Sequence, residues 1–218
     1  MTFRDVQAIP FFATMVWSYD LAPELAEPMN RRLLAKLDAL LTPRPPLQPG
    51  QTWQTDQRLH RLSEFAELVG YINEAASRVM EILQVEHEGF EITGCWANIN
   101  PPGEPHTPHN HPNNYLSGVY YVKTAPGGDS LSFYDPRPET NVIAPRVKQP
   151  NPYNLRRLEL RTPPGRLVLF PAWFRHGVGR NMSSEERVSI AFNIMFSAFT
   201  ECLSAPKWEG IATGGGNL

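Results

Sequence analysis

The feature that most constrains this chain is a change of pattern at Phe90. Before it, apolar residues recur at three- and four-residue steps. After it, short runs rich in Val, Ile, Phe and Tyr are separated by Gly, Pro and Asn clusters. The positions Leu25, Met29, Leu33, Leu37, Leu40 and Leu41 predict an amphipathic helix over 22–41 that stops at Pro43. The segment TPRPPLQPG, 42–50, is a connector whose prolines exclude helix and favour an extended path. Leu62, Phe65, Leu68, Val69, Ile72, Ala76, Val79 and Leu83 predict a second helix, with Ser63 as its N-cap or first-turn residue.

Strands are expected near 91–99, 115–123, 130–134, 156–161, 166–170 and 187–197. Helices first and strands afterwards point to an antiparallel β core backed on one side by two helices. With 218 residues, 41% of them hydrophobic, the chain is long enough for one such core. The expectation is one domain, 1–218, with helical support over 22–86 and the β core over 90–197.

A formal charge of -2 gives no electrostatic case for nucleic acid or an anionic membrane as partner. The first residues, MTFRDVQAIPFFATMVWSYDL, lack a basic segment followed by an apolar core, so a soluble, unexported, cytoplasmic protein is expected. Cys95 and Cys202 are then reduced thiols rather than a disulfide. Nothing fixes the oligomeric state, and a homodimer is compatible with the sequence.

Three of the six histidines fall within GEPHTPHNHPNNYL, residues 103–116. Prolines at 105, 108 and 112 hold this stretch extended. In an extended segment residues two apart point the same way, so His109 and His111 can present both imidazoles to one ion. Two histidines rarely hold a metal alone, and His176, just past the strand-like run 166–170, is the candidate third ligand. The competing reading is a solvated polar loop beside a satisfied histidine. His106 lies out of the alternation and is assigned to the surroundings of the ligands, and His60 and His87 fall in or beside helices.

Four stretches, HNHPNNYLSGVYYV, GGDSLSFYDPRP, GRLVLFPAWFRHGV and ERVSIAFN, resemble in order and spacing the Fe(II)/2-oxoglutarate-dependent oxygenases, within them a group related to prolyl hydroxylases. The resemblance spans roughly 90–197, with 65 positions from His111 to His176 and 11 from His176 to Arg187. It implies a double-stranded β-helix, a jelly-roll or cupin-like barrel, with Fe(II) at its open end and 2-oxoglutarate as cosubstrate. It puts His109, His111 and His176 on the ligand positions. There the sequence departs from the wider superfamily, because His111 stands where an aspartate or glutamate is usual.

The resemblance further implies that Arg187, with Ser189 beside it, pairs with the distal carboxylate of 2-oxoglutarate, that Tyr121 donates to it, and that Asn98 contacts cosubstrate or metal-bound water. The residues agree independently. In RVSIAFN the alternation puts Val188, Ile190 and Phe192 on one face and Arg187, Ser189, Ala191 and Asn193 on the other. An arginine inside a strand, among small and polar residues, requires an anion. Pairing with Glu185 or Glu186 is the bland alternative. Tyr121 shares a face with Ser117 and Val119, opposite Tyr120.

Three neutral histidines leave a metal one charge more positive than two histidines and a carboxylate would, which favours an anionic cosubstrate and weakens retention of the metal. Asp129, Asp135 or Glu139 could fold in to restore a carboxylate, and Asn113 could offer an oxygen. The expected activity is hydroxylation of a peptide or small molecule. The alternatives are a cupin-like three-histidine dioxygenase, or a Zn or Ni enzyme, neither using 2-oxoglutarate. Trp53, Trp96, Tyr115, Trp173 and Phe174 are the aromatic residues expected at the mouth.

Overall fold

A computed structural model describes residues 11–48, 50–143 and 145–200. Strand β1 (Trp17–Asp20) and helix α1 (Pro23–Leu41) come first, followed by the two-residue β2 (Trp53–Gln54), two 3-10 turns and helix α2 (Ala66–Leu83). The β region then runs through β3 (Phe90–Asn100), β4 (His106–His109), β5 (Leu116–Lys123), β6 (Ser130–Tyr134), β7 (Arg157–Arg161), β8 (Arg166–Pro171), β9 (His176–Val178) and β10 (Arg187–Phe196). A last turn of helix, α3 (Ser197–Thr200), closes the described chain.

Among the described residues ten strands form two antiparallel sheets, one of six in the order β1-β8-β5-β10-β3-β2 and one of four in the order β4-β9-β6-β7. Alternation along each strand of the larger sheet sorts its side chains to two sides. Ala97 and Ile99, Tyr120 and Val122, Leu167 and Leu169, Ile190 and Phe192 join Met29, Leu33 and Leu37 of α1 and Leu68, Ile72 and Val79 of α2 in one core. Each buried Val, Leu, Ile, Met or Phe side chain among them contributes roughly 1.5–3 kcal/mol. The opposite side brings Val119, Tyr121, Val168, Phe170 and Ala191 onto Leu131 and Phe133 of the smaller sheet. The result is the antiparallel core with two supporting helices that the pattern implies, arranged as the jelly roll that the resemblance implies, and the interior between its sheets holds the polar residues discussed below.

Two details fix the helix side. Tyr120, fully buried, donates its hydroxyl to Asn30 Oδ1 on α1 at 2.8 Å, so a polar group in the core is satisfied rather than stranded. Gly118 leaves room for the ring of Phe192, because a Cβ there would lie 2.2 Å from that ring and 2.7 Å from the Val168 carbonyl.

The expected helices and the six long strands form with ends shifted by one residue or so, except at the start of the second helix. There Ser63 opens a 3-10 turn, Ser63–Phe65, and makes no cap; α2 begins at Ala66. Four short strands, β1, β2, β4 and β9, were not among the expected ones. Cys95 is buried and free, and Cys202 lies outside the described residues. No helix among the described residues is long and apolar enough to cross a membrane.

Candidate active site

The three histidines come together at one end of the smaller sheet. β4 and β9 are neighbours, and His109 and His176 are register partners across them. His111 lies two residues beyond His109, where its backbone N–H donates to the Ala172 carbonyl at 2.9 Å and ties the segment to the end of β8. One ring nitrogen from each of His109, His111 and His176 lies within 4.8 Å of the others.

Backbone carbonyls orient two of these rings. His109 Nδ1 is 2.8 Å from Thr107 O, and His176 Nδ1 is 2.8 Å from Phe174 O. A carbonyl can only accept, so Nδ1 carries the proton in both and Nε2 is the nitrogen left to face a metal. Such outer hydrogen bonds fix tautomer and ring direction at metal sites. His176 is 4% exposed and packs on Phe170, ring centroids 4.4 Å apart. Burial, with the neighbouring imidazoles adding to it, pushes His176 down to about 3 and His111 to about 4. Neutral rings with lone pairs are the form that binds metal, and three imidazoles suit Fe, Zn, Cu or Ni.

The carboxylates that might have joined them are engaged elsewhere. Asp135 grips Arg137 through both oxygens at 2.8 and 2.9 Å, and Asp129 grips Arg161 at 2.7 and 2.9 Å. Neither these nor Glu139 belongs to the metal-capable cluster among the described residues, and Asn113 occupies a left-handed turn outside the cavity.

The histidines line a cavity whose other walls are Trp96, Asn98 and Asn100 of β3, Val119 of β5, Leu131 of β6, and Arg187, Ser189 and Ala191 of β10. Arg187, 3% exposed, faces inward with its guanidinium 5.3 Å from the centre of the Tyr121 ring. Its Nε has no hydrogen-bond partner, and neither has the buried Tyr121 hydroxyl. The nearby acids do not serve it: Glu185 pairs with Lys123 at 3.0 Å and Glu186 with Arg44 at 2.8 Å. Burial pushes the Arg187 guanidinium down and the Tyr121 hydroxyl up from their ordinary values, each resisting ionisation without a counter-charge. Ser189 lies on the same face, also buried. Asn98 Oδ1 accepts from Gln54 Nε2 at 2.7 Å, which leaves its NH2 as the group available to the cavity.

Two residues outside the expected set belong here. Asn100, the register partner of Arg187, is buried with Nδ2 unpartnered; the alternation of CWANIN already put it on the face of Asn98. His106 also lines the cavity, although alternation from His109 set it aside. The pairing of β4 with β9 carries a bulge between His106 and His109, and one extra residue restores His106 to the inner face. Of the five aromatic residues expected at the mouth only Trp96 lines the cavity. Tyr115 and Trp53 pack against the helix-side core, Phe174 stacks on Phe133 in the second core at 5.0 Å, and Trp173 is 54% exposed. His60 and His87 lie away from the site, His87 stacked on Phe196.

Residues 94–193 match the family model described as "Putative 2OG-Fe(II) oxygenase". No curated protein matches the chain in sequence. Among solved structures it resembles the non-heme alpha ketoglutarate dependent carbocyclase SnoK from nogalamycin biosynthesis, with TM-score 0.62 and 13% identity over 90% of each chain. It is also similar to HygX from Streptomyces hygroscopicus, solved with nickel and 2-oxoglutarate bound, with TM-score 0.60 and 13% identity over 84% of this chain and 83% of that one. A Pseudomonas putida prolyl-4-hydroxylase gives TM-score 0.55 and 16% identity over 84% of this chain and 93% of that one.

Proposed function

We propose that this chain, whose residues 94–193 match the model of a family of Fe(II)/2-oxoglutarate oxygenases, is a hydroxylase that holds Fe(II) on His109, His111 and His176 and 2-oxoglutarate between that iron and Arg187. The observation that carries the reading is the state of Arg187. An arginine at 3% exposure, Nε unpartnered, with both neighbouring glutamates committed to other cations, requires an anion from outside the protein. A carboxylate engages a guanidinium through two parallel hydrogen bonds; Ser189 lines the same cavity, and the Tyr121 ring packs against the guanidinium, with its hydroxyl the further donor this reading assigns.

The histidines supply the other anchor. Three neutral nitrogens leave open positions for a chelating keto acid, and the missing carboxylate leaves the metal more positive toward that anion. When bound, iron and 2-oxoglutarate supply the oxidising chemistry: dioxygen puts one atom into the substrate as a hydroxyl and the other into succinate, with release of CO2. The chain's own work is positioning and exclusion of water. Thr107 and Phe174 carbonyls fix the ring directions of His109 and His176, while Phe170, Leu131 and Val119 keep that end of the cavity dry. Substrates are peptides or small molecules. The cupin-like and Zn or Ni readings without 2-oxoglutarate give Arg187 no task.

Isothermal titration of 2-oxoglutarate into protein loaded with redox-inert Mn(II) tests the reading. Micromolar binding that Arg187→Met weakens is expected. Equal binding by the two proteins would sink the assignment of the cosubstrate.

A further inference from the structure

His106 is the one imidazole of the cavity with no task in the reading above. It stacks on His109, ring centroids 4.7 Å apart and planes 23° apart, yet it lies outside the group whose nitrogens converge. Its place in the fold is informative. Asn100 at the end of β3 is the register partner of Arg187, and the turn from Asn100 to His106 is tied down by the Gly103 N–H donating to Asn181 O at 2.7 Å. β4 therefore starts at the Arg187 end of the cavity and runs to the metal end. The ring at its start adjoins His109 and lines the same cavity as Arg187.

The local backbone is built to keep that ring inside. The bulge between His106 and His109 turns it inward, and the bulged backbone crosses directly over Gly177, where a Cβ would lie 3.1 Å from His106 O and from Pro108. Among the described residues the backbone of His106 pairs with β9 opposite Val178, while its ring makes no hydrogen bond to the protein. A purely packing ring would carry no polar atoms; the half-buried imidazole on the cavity wall keeps an N–H available to an occupant of the cavity.

We infer that His106 is a cosubstrate-binding residue, donating a hydrogen bond from its imidazole to an oxygen of the 2-oxo acid that spans the space between His109 and Arg187. The inference rests on the proposed function and adds a fourth imidazole that binds the organic anion and not the metal. A neutral ring N–H donating to a carboxylate or keto oxygen contributes about 1.5 kcal/mol, equivalent to about tenfold in affinity.

The test compares His106→Phe and His106→Gln with the parent by two titrations, Mn(II) into metal-free protein and 2-oxoglutarate into the Mn(II) form, with folding checked by circular dichroism. His106→Phe keeps a ring against His109 and loses the N–H, so Mn(II) affinity should stay within about threefold while 2-oxoglutarate binds about tenfold more weakly. His106→Gln keeps an N–H donor and should bind 2-oxoglutarate within about threefold of the parent. Unchanged 2-oxoglutarate binding in His106→Phe would reduce His106 to packing, and a parallel loss of Mn(II) would make it a ligand; either overturns the inference. Arg187→Met in the same series separates the two levels: if it too leaves 2-oxoglutarate binding unchanged, the failure lies with the cosubstrate itself.

Discussion

The Arg187 guanidinium lies 5.3 Å from the centre of the Tyr121 ring, and Arg187 Nε and the Tyr121 hydroxyl are both buried without a hydrogen-bond partner. A folded chain keeps two such groups side by side only at a cost, and a bound carboxylate offsets it. Arg187→Met should therefore act oppositely on two measurements. The urea midpoint of the metal-free protein should stay level or rise, because an unpaired buried charge is gone. Affinity for 2-oxoglutarate should fall by about a hundredfold, in keeping with about 2–5 kcal/mol for truncating one side of a buried charge pair. A clear loss of stability without loss of affinity would identify Arg187 as a structural residue.

Tyr121→Phe makes the milder companion. The hydroxyl makes no well-formed hydrogen bond inside the protein, with Arg187 and Thr162 beside it, so its removal should change the thermal midpoint of the ligand-free chain little. Its removal should raise the dissociation constant of 2-oxoglutarate by roughly five- to tenfold, as expected for one hydrogen bond of about 1–1.5 kcal/mol. A destabilised protein with unchanged affinity would contradict the role.

His111 separates ligation from shape. Loss of a residue that only supports a ligand costs about 10–100-fold in metal affinity, so His111→Ala, which removes a ligand, should exceed that. His111→Asp puts a carboxylate at the third proposed ligand position and lowers the positive charge of the site, and it should hold Mn(II) at least as well as the parent. Metal titrations of the three proteins decide the matter, and full affinity in His111→Ala would remove His111 from the ligand set.

Protonation gives a further expectation. His111 and His106 are held down to about 4 and His176 to about 3, against an ordinary 6.5. Below about pH 6.5 the unfolded chain takes up protons that the folded, metal-free chain refuses, so the unfolded state binds more protons across the window from 6.5 down to 4. Stability from these groups is therefore complete above pH 6.5 and lost as pH falls through that window. Urea midpoints of metal-free protein at pH 7.5 and pH 5 should show the drop, and the slope should shrink in His106→Phe. A midpoint that rises on acidification would contradict it.

Much of this site is legible in the order of residues because the period of a strand is two. Alternation alone puts Arg187 and Ser189 on one face of β10, Tyr121 opposite Tyr120 on β5, and His109 in step with His111. The helix period likewise separates Leu33 and Leu37 from solvent. Bulges defeat the same reasoning. One extra residue in β4 reverses the parity of His106; Pro108 in HTPH marks an edge strand or a bulge, but does not say which. Strands as short as β2 and β9 show no period at all, although β9 delivers His176. The isolation of Arg187 is a property of distant partners, since only the fold brings Lys123 to Glu185 and Arg44 to Glu186. Asn100 was readable from the alternation of β3; its empty Nδ2 was not.

The central claim is that the histidine cluster and Arg187 serve one iron and one 2-oxoglutarate. Its most direct measurement adds Fe(II) and then 2-oxoglutarate to the protein without oxygen, records the visible spectrum, and admits oxygen while succinate is quantified. A broad visible charge-transfer band that forms only with both additions, is weakened in Arg187→Met and decays with succinate formation is the predicted result. Iron bound at one equivalent with no band and no succinate would contradict the claim.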